Sequence, residues 1–215
     1  MKIIMNTGGI AVTNSFLVAD ELEKKAVIFD APDHTTSPLL DAAQKEGWDV
    51  IGLWLTHGHF DHMADHEVVR GRFPAAKILI HKRDEPKLQK PGATFFLPIK
   101  IPPAKADGYV EDGQKLLLGR YEFEVIHTPG HAPGHVMYYC ASEKVLIGGD
   151  LIIGGSVGRT DLPDSSYDDL VKSIRRVMKL PGDTKLMGGH GEISTLNDER
   201  EGNSYVQEAL ASDAQ

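Results

Sequence analysis

The sequence predicts a layered α/β domain, in which helices cover the faces of sheets. Two observations lead to this fold class: short apolar runs recur between turn-forming residues, as strands do, and longer segments with helix boundaries lie among them. The chain has 215 residues, which suits one large domain and leaves little for a second. We therefore expect residues 1–215 to form a single domain.

The first elements are predicted from apolar runs and their boundaries. Residues 10–19 are apolar and β-branched, and residues 25–30 form an apolar run that ends in the turn signal Asp-Ala-Pro-Asp, so both favour strands. Residues 37–46 are predicted to be helical because Pro38 lies in the first turn and Gly47 follows the end.

The middle of the chain continues this alternation. Apolar runs predict strands at 50–55 and 77–81, and residues 65–73 are predicted to form a helix between them. Residues 87–107 carry four prolines and are predicted to be a loop. This loop either covers a functional site or forms a surface excursion, and the sequence does not decide between the two.

The last part of the chain is predicted to add further strands and two helices. Tyr167 to Met178 has the spacing of an amphipathic helix, and Asn197 to Ala211 is predicted to close the chain as a helix. Short apolar runs predict strands at 115–118, 121–127, 136–141, 144–149 and 186–190.

The overall composition excludes several classes of protein. The formal net charge of −8 disfavours a general nucleic-acid binder, which needs a basic face. Apolar runs stay far below the roughly 20 residues that span a bilayer, and the first residues lack a signal-peptide pattern, so we expect a cytoplasmic protein that contacts no membrane. The single cysteine, Cys140, excludes a disulfide within the chain and suits a reducing compartment.

Ligand-type side chains cluster directly after the strand at 50–55. The spacing His57-x-His59-x-Asp61-His62 combines imidazole and carboxylate groups, which zinc-class metals prefer, and Gly58 gives the backbone freedom to turn. A solvated histidine-rich loop is the alternative interpretation. Four side chains of ligand type at this spacing after a buried strand favour a metal site.

Further polar residues follow other predicted strands. Asp30, Asp150 and His190 each come just after an apolar run, and His131 lies in a turn rich in proline and glycine. Each by itself is also typical of an ordinary turn. Because scaffolds present functional groups on the loops at strand ends, we expect these residues to converge with the histidine cluster at one edge of the sheets.

In this order, the residues resemble the motif set of the metallo-β-lactamase superfamily over the segment from about Asp30 to His190. The chain is similar to the glyoxalase II branch, especially its short bacterial members. The strings that carry this resemblance are Thr56-His57-Gly58-His59-Phe60-Asp61-His62, Thr128-Pro129-Gly130-His131 and Gly155-Ser156-Val157-Gly158-Arg159-Thr160-Asp161.

The resemblance implies a four-layer αββα sandwich with two divalent metal ions, zinc foremost and iron or manganese as alternatives. It assigns the first metal to His57, His59 and His131, and the second to Asp61, His62 and His190. It makes Asp150 the bridging ligand and gives Asp61 and Asp150 catalytic roles. Asp30 supports the ligands from behind, as His135 does if it is not merely a packed histidine. Spacing alone does not separate His131 from His135, and the resemblance selects His131.

The resemblance also implies an activity, the hydrolysis of S-(hydroxyacyl)glutathione by a metal-bridging hydroxide. The substrate is then a small anionic thioester, and Arg159 either binds its carboxylate or forms an ordinary salt bridge with Asp161 or Asp164. Full-length glyoxalase II has an additional helical domain after the last ligand. Here 25 residues follow His190, so we expect looser selectivity for glutathione.

Two other activities remain open from the sequence. A mononuclear iron persulfide dioxygenase uses the same fold, and its iron ligands correspond to His57, His131 and Asp150. A lactonase or β-lactamase would use the same dinuclear chemistry, although the chain shows no motif specific to either. The sequence does not indicate an oligomeric state.

Overall fold

In the computed structural model, which describes residues 1–92 and 99–211, the strands form two six-stranded mixed sheets. The first sheet contains, in spatial order, β1 (Lys2–Gly8), β2 (Thr13–Asp20), β3 (Lys25–Phe29), β4 (Asp49–Trp54), β5 (Lys77–His81) and β6 (Gly108–Val110). The second contains, in spatial order, β7 (Lys115–Leu118), β8 (Tyr121–His127), β9 (Val136–Cys140), β10 (Val145–Gly149), β11 (Lys185–Gly188) and β12 (Ser194–Thr195).

Two sets of helices accompany these sheets. Those in the first half of the chain are α1 (Thr36–Glu46), α2 (Phe60–Met63), α3 (His66–Arg72) and α4 (Glu85–Gln89). Those in the second half are α5 (Tyr167–Val177), α6 (Leu196–Gly202) and α7 (Ser204–Ala211). In the described residues, no helix is both long enough and apolar enough to cross a lipid bilayer.

Alternating side chains on the strands produce four layers. In β2, Phe16 and Val18 pack between the sheets against residues such as Phe123, whereas Leu17 and Ala19 pack toward α1. The outer face of the second sheet is covered in the same way by α5, α6 and α7. The order of layers is therefore helix, sheet, sheet, helix, which confirms the predicted αββα sandwich.

An aromatic cluster fills the space between the two sheets. It contains Phe29, Trp54, Phe123 and Tyr138, with ring centroids 5.2–5.9 Å apart. The Tyr138 hydroxyl donates a hydrogen bond of 2.8 Å to the Leu55 carbonyl, which lies directly after β4. The core thereby fixes the end of the strand from which the histidine cluster begins.

Strand direction brings the polar loops to one edge. β3, β4 and β5 are parallel neighbours in the first sheet, and β10 and β11 are parallel neighbours in the second. Their carboxyl ends precede Asp30, His57, Asp84, Asp150 and His190, respectively. The carboxyl ends of parallel strands lie at the same edge of a sheet, so these residues are presented together.

A strand and a helix differ from the sequence predictions. The predicted strand at 10–19 begins only at Thr13, because residues 9–12 form a turn in which Val12 has φ 57°. The predicted helix at 197–211 is two helices, separated by Asn203 in an extended conformation. The side chain of Asn203 accepts hydrogen bonds from the Tyr205 and Val206 amides, so it starts a new helix instead of continuing the first.

The predicted loop at 87–107 begins as part of α4. Leu88 in that helix is fully buried in the core beside the first sheet, and its carbonyl accepts a hydrogen bond of 3.0 Å from the Ala104 amide. Residues 93–98 of this predicted loop lie outside the described residues. The described parts pack against the first sheet, and none of them lines the cavity described below.

Candidate metal centre

All of the predicted ligand residues converge at the edge where the strands of both sheets end. Their ligand atoms form three groups, and within each group the atoms lie within 4.8 Å of one another. The groups are His57, His59 and His131; His57, His62 and Asp150; and Asp61, His62 and His190.

The first group consists of three imidazoles that point at one another. Nδ1 of His59 lies 3.1 Å from Nε2 of His57 and 2.8 Å from Nε2 of His131. Three ring nitrogens at such short range have more lone pairs than protons to share when the imidazoles are neutral. A cation at their centre would satisfy all three.

Asp150 lies between this group and the other histidines. Its Oδ2 atom is 3.4 Å from Nε2 of His131 and 3.3 Å from Nε2 of His190, and its Oδ1 atom is 3.3 Å from Nε2 of His62. Asp61 lies on the far side, with Oδ2 3.5 Å from His62 and 3.4 Å from His190. The Asp150 carboxylate therefore faces both groups of imidazoles.

Local backbone structure aims these side chains inward. α2 begins directly after His59, so Asp61 and His62 lie in its single turn. Gly149 immediately before Asp150 has φ 48°, and a Cβ atom there would lie 2.5 Å from Nε2 of His135. Only glycine fits this position, which lets β10 end tightly against the loop of the second sheet.

The outward-facing nitrogen of several imidazoles has a fixed partner. Nδ1 of His57 lies 3.0 Å from the Thr56 hydroxyl, and Nδ1 of His131 lies 2.9 Å from the Arg159 carbonyl. A carbonyl accepts only, so His131 carries its proton on Nδ1 and presents the lone pair of Nε2 to the cluster. Ligand histidines in metalloproteins are oriented in this manner.

Asp30 performs the same task for His62. Its Oδ2 atom accepts from Nδ1 of His62 and from the Thr56 hydroxyl, each at 2.8 Å, and its Oδ1 atom accepts from the Thr56 amide at 2.7 Å. Asp30 has φ 56°, a left-handed conformation that aspartate and asparagine tolerate better than most residues. One buried carboxylate thus holds both the strand end and a ligand ring.

His135 lies behind the cluster instead of in it. Its Nε2 atom accepts a hydrogen bond of 2.9 Å from the Asp150 amide, and its Nδ1 atom lies 2.8 Å from the Thr128 hydroxyl. Complete burial lowers the pKa of His135 to about 3, so the ring is neutral and can accept that bond. We interpret His135 as a support for the backbone of Asp150.

The electrostatics of the cluster fit a bound cation. Burial lowers the pKa of His59 to about 2, which keeps that imidazole neutral. Burial opposes ionisation of Asp61, yet the adjacent His62 and His190 lower its pKa to about 2. Burial likewise opposes protonation of His190, yet its bonds to Asp150 and Asp61 raise its pKa to about 10. The carboxylates of Asp61 and Asp150 thus stabilise positive charge at this point.

Two buried atoms inside the cluster lack any hydrogen-bond partner among the described residues. They are Nε2 of His62 and Oδ1 of Asp150. A buried polar atom without a partner costs roughly 1–3 kcal/mol, and a divalent ion between the two would remove that cost. The donor set of imidazole and carboxylate is the one that zinc-class ions use.

Comparison with known proteins agrees with this geometry. A family model of the metallo-beta-lactamase superfamily matches residues 8–190, which include every residue of the cluster. The chain belongs to the metallo-β-lactamase superfamily.

Three relatives span almost the full length of this member of the superfamily. Hydroxyacylglutathione hydrolase GloC of Haemophilus influenzae is 31% identical, covering 94% of this chain and 98% of its own length. The crystal structure of BLEG-1 B3 metallo-beta-lactamase is 32% identical with a TM-score of 0.88, covering 95% of this chain and 99% of its own. The di-iron-bound form of TTHA1623 is 31% identical with a TM-score of 0.81, covering 94% and 99%, respectively. The names of these relatives point to different substrates and metals. Membership of the superfamily therefore does not by itself identify the substrate or the metal of this chain.

A cavity of about 410 Å³ opens onto the cluster. Besides His59, Asp61, His131, Asp150 and His190, it is lined by Ala11, Phe60, Arg159 and Leu162. Arg159, for which substrate binding and an ordinary salt bridge were both predicted as alternatives, lines this cavity, and its guanidinium forms two hydrogen bonds of 2.6 and 2.7 Å with the exposed Asp161 carboxylate. The salt bridge between Arg159 and Asp161 is therefore present, and substrate binding by Arg159 stays a prediction.

Sequence reasoning missed three residues that hold this site. The Thr13 hydroxyl donates to Oδ2 of Asp61 at 2.8 Å, Thr56 links Asp30 to His57, and Asp84 contacts two ligand loops. Asp84 had a usable signal, because it follows the apolar run at 77–81 as the other site residues follow theirs. The other five histidines lie outside the three ligand groups; besides His135 they are His34, His66, His81 and His127.

Proposed function

We propose that this chain is a metal-dependent hydrolase of the glyoxalase II type, which cleaves the thioester bond of S-(hydroxyacyl)glutathione. One observation carries the proposal. The group that contains His59 and the group that contains His190 each have three ligand-type side chains, and the Asp150 carboxylate lies between the two groups. Such an arrangement suits two metal ions that share a ligand. The full-length similarity to a hydroxyacylglutathione hydrolase supports the choice of substrate class.

The proposed ligands of the first ion are His57, His59 and His131. Those of the second are Asp61, His62 and His190, with Asp150 between the two. Bound there, two divalent ions would supply a hydroxide nucleophile at neutral pH and polarise the substrate carbonyl. We propose zinc, and the di-iron-bound relative makes iron an outcome that the metal analysis must distinguish.

The residues of the chain prepare the site for an anionic thioester. Two divalent ions carry four positive charges, and the carboxylates of Asp61 and Asp150 offset two of them, so the centre remains attractive to an oxyanion. Phe60 and Leu162 give the cavity apolar walls against the acyl part of the substrate. Arg159 lines the cavity, and we propose that a carboxylate of the substrate competes with Asp161 for its guanidinium.

The test combines metal analysis with an activity assay on protein purified without added metal. About two zinc ions per chain together with hydrolysis of S-lactoylglutathione would support the proposal. Asp150→Asn should lower the metal content toward one ion or none and abolish hydrolysis. Asp183→Asn is the matched control, since that carboxylate is exposed and pairs with Lys144 away from the site. Unchanged stoichiometry in Asp150→Asn would refute the shared ligand.

Two other outcomes would redirect the assignment. One iron per chain, oxygen consumption with glutathione persulfide and absent thioester hydrolysis would indicate a persulfide dioxygenase. Two metals with faster cleavage of a chromogenic cephalosporin than of S-lactoylglutathione would indicate a β-lactamase. Hydrolysis that survives complete removal of metal would reject a metallohydrolase altogether.

A further inference from the structure

Asp84 is a buried carboxylate whose position in its own helix does not explain it. It lies directly before α4 at the position where aspartate commonly accepts a hydrogen bond from the first turn. Its side chain makes no such bond. Its two oxygens instead accept from two distant backbone amides: Oδ2 from Gly58 and Oδ1 from Gly134, each at 2.8 Å.

These two glycines lie within the loops that carry the first group of imidazoles. Gly58 separates His57 from His59 at the end of the first sheet, and Gly134 lies between His131 and His135 in the loop that joins β8 to β9 of the second sheet. The single carboxylate of Asp84 therefore ties together loops that belong to different sheets.

The contacts leave no space for a larger residue at either glycine. A Cβ atom on Gly58 would lie 2.8 Å from the Asp84 carbonyl oxygen, and one on Gly134 would lie 2.7 Å from Oδ1 of Asp84. Both approaches are closer than real Cβ atoms make, so the distance between the loops is set by direct contact with Asp84.

Asp84 is also electrostatically connected to a third loop. Its side chain is fully buried, and the nearest cation is Lys87, whose Nζ atom lies 3.6 Å from Oδ1. The same Nζ atom lies 2.7 Å from Oδ2 of Asp164. Asp164 follows Arg159 by five positions, and the Arg159 carbonyl accepts the bond from Nδ1 of His131. Asp84 and Lys87 thus contact the two loops of the first group and the loop segment that contains Asp164.

We propose that Asp84 is a positioning residue that sets the distance between the His57–His59 loop and the His131 loop, and thereby the affinity of the first group for its metal. This inference rests on the proposed metal centre. It predicts a selective effect, because Asp84 makes no hydrogen bond or ion pair with Asp61, His62 or His190 among the contacts of the described residues.

The experiment is a Zn²⁺ titration of the full chain against a competing chelator. In Asp84→Asn, one oxygen remains as an acceptor, while the new NH₂ group opposes the second glycine amide, so one loop is released. Loss of a residue that orients ligands typically lowers metal affinity ten- to a hundredfold. We expect a loss of that size at one of two sites, with the other site unchanged.

Asp20→Asn is the matched control for a general loss of stability. Asp20 is likewise a fully buried carboxylate that accepts hydrogen bonds from backbone amides, those of Leu22 and Arg120, but it lies at the end of β2 opposite to Thr13, away from the cluster. Asp20→Asn should lower the thermal midpoint and leave both Zn²⁺ affinities at the wild-type value. Gly134→Ala tests the same contact from the other side and should also weaken one site, which keeps the inference testable if Asp84→Asn does not fold.

Each outcome separates this inference from the proposed function. If the wild-type chain binds no Zn²⁺, the metal centre itself is wrong. If the wild type binds two ions and folded Asp84→Asn or Gly134→Ala binds them equally well, the role of Asp84 is overturned. Equal weakening of Zn²⁺ binding in Asp84→Asn and Asp20→Asn would make the effect one of stability alone, and would overturn it as well.

Discussion

Asp30→Asn should move the proton of the His62 imidazole from Nδ1 to Nε2, so that His62 no longer offers a lone pair to a metal. Asparagine tolerates the left-handed backbone at this position and has nearly the same shape as aspartate, so the fold is retained. It offers one acceptor where the carboxylate offered two. The Thr56 amide always carries its proton, so the remaining oxygen stays on that group. The new NH₂ group then faces the N–H group at Nδ1 of His62. Because two donors cannot bond to each other, the imidazole proton moves to Nε2 and Nδ1 becomes an acceptor.

The size of the effect follows from the contacts that change. In the native chain the 2.8 Å bond to Asp30 keeps the proton on Nδ1 and leaves the lone pair of Nε2 toward Asp61 and Asp150. Reversing this tautomer removes one of the ligands of the second group. Changes at residues that orient metal ligands cost ten- to a hundredfold in affinity. That range corresponds to about 1.4–2.8 kcal/mol of binding free energy.

The assay is a Zn²⁺ titration against a chelator, combined with hydrolysis of S-lactoylglutathione. We expect one site of native affinity, one weakened by the stated factor, and hydrolysis that recovers only at high Zn²⁺. Asp20→Asn again controls for loss of a buried carboxylate elsewhere. Two sites of unchanged affinity in Asp30→Asn would refute the argument that Asp30 sets the tautomer of His62.

Three further predictions test other parts of the structure. Arg159→Ala should raise KM for S-lactoylglutathione about two- to fivefold, because charge contacts that stay exposed to water are weak, with metal content unchanged; an unaltered KM would limit the guanidinium to its pair with Asp161. Asn203→Ala should lower the free energy of unfolding by about 1–3 kcal/mol in urea denaturation, since it removes a helix cap and one of the donors to the Ser156 carbonyl and to the Glu199 carboxylate; a loss within about 0.5 kcal/mol, the range of a neutral surface change, would contradict it. The Arg120 guanidinium beside Asp20 holds the pKa of that carboxyl well below its ordinary 3.8, so this stabilisation is present above about pH 4 and is lost as the pH falls further. The difference in stability between wild type and Arg120→Ala should therefore shrink from pH 7 to pH 3, and a constant difference would disprove the linkage.

Local patterns in the sequence were sufficient for the layered fold and for the candidate ligands. The apolar run at 50–55 and the histidine spacing that follows it involve residues a few positions apart. They can therefore be interpreted without knowledge of the rest of the chain. The same holds for α1, whose predicted end at Gly47 is a left-handed residue in the structure, with φ 68°. The prediction of a single helix over 197–211 was wrong because the break depends on Asn203, whose side chain donates to the Ser156 carbonyl 47 positions earlier.

The sequence by itself determined which residue types were available for a metal and that they follow strand ends. Only the tertiary structure decided how each one is used. His131 and His135 have equivalent local settings, yet one imidazole faces His59 and the other accepts a bond from the Asp150 amide. The position of Asp84 after a predicted strand was visible in the sequence, but its two hydrogen-bond partners were not, because they lie 26 and 50 positions away in loops of different sheets. Orientation of a ligand is a property of contacts between distant segments, and these exist only once both sheets have packed together.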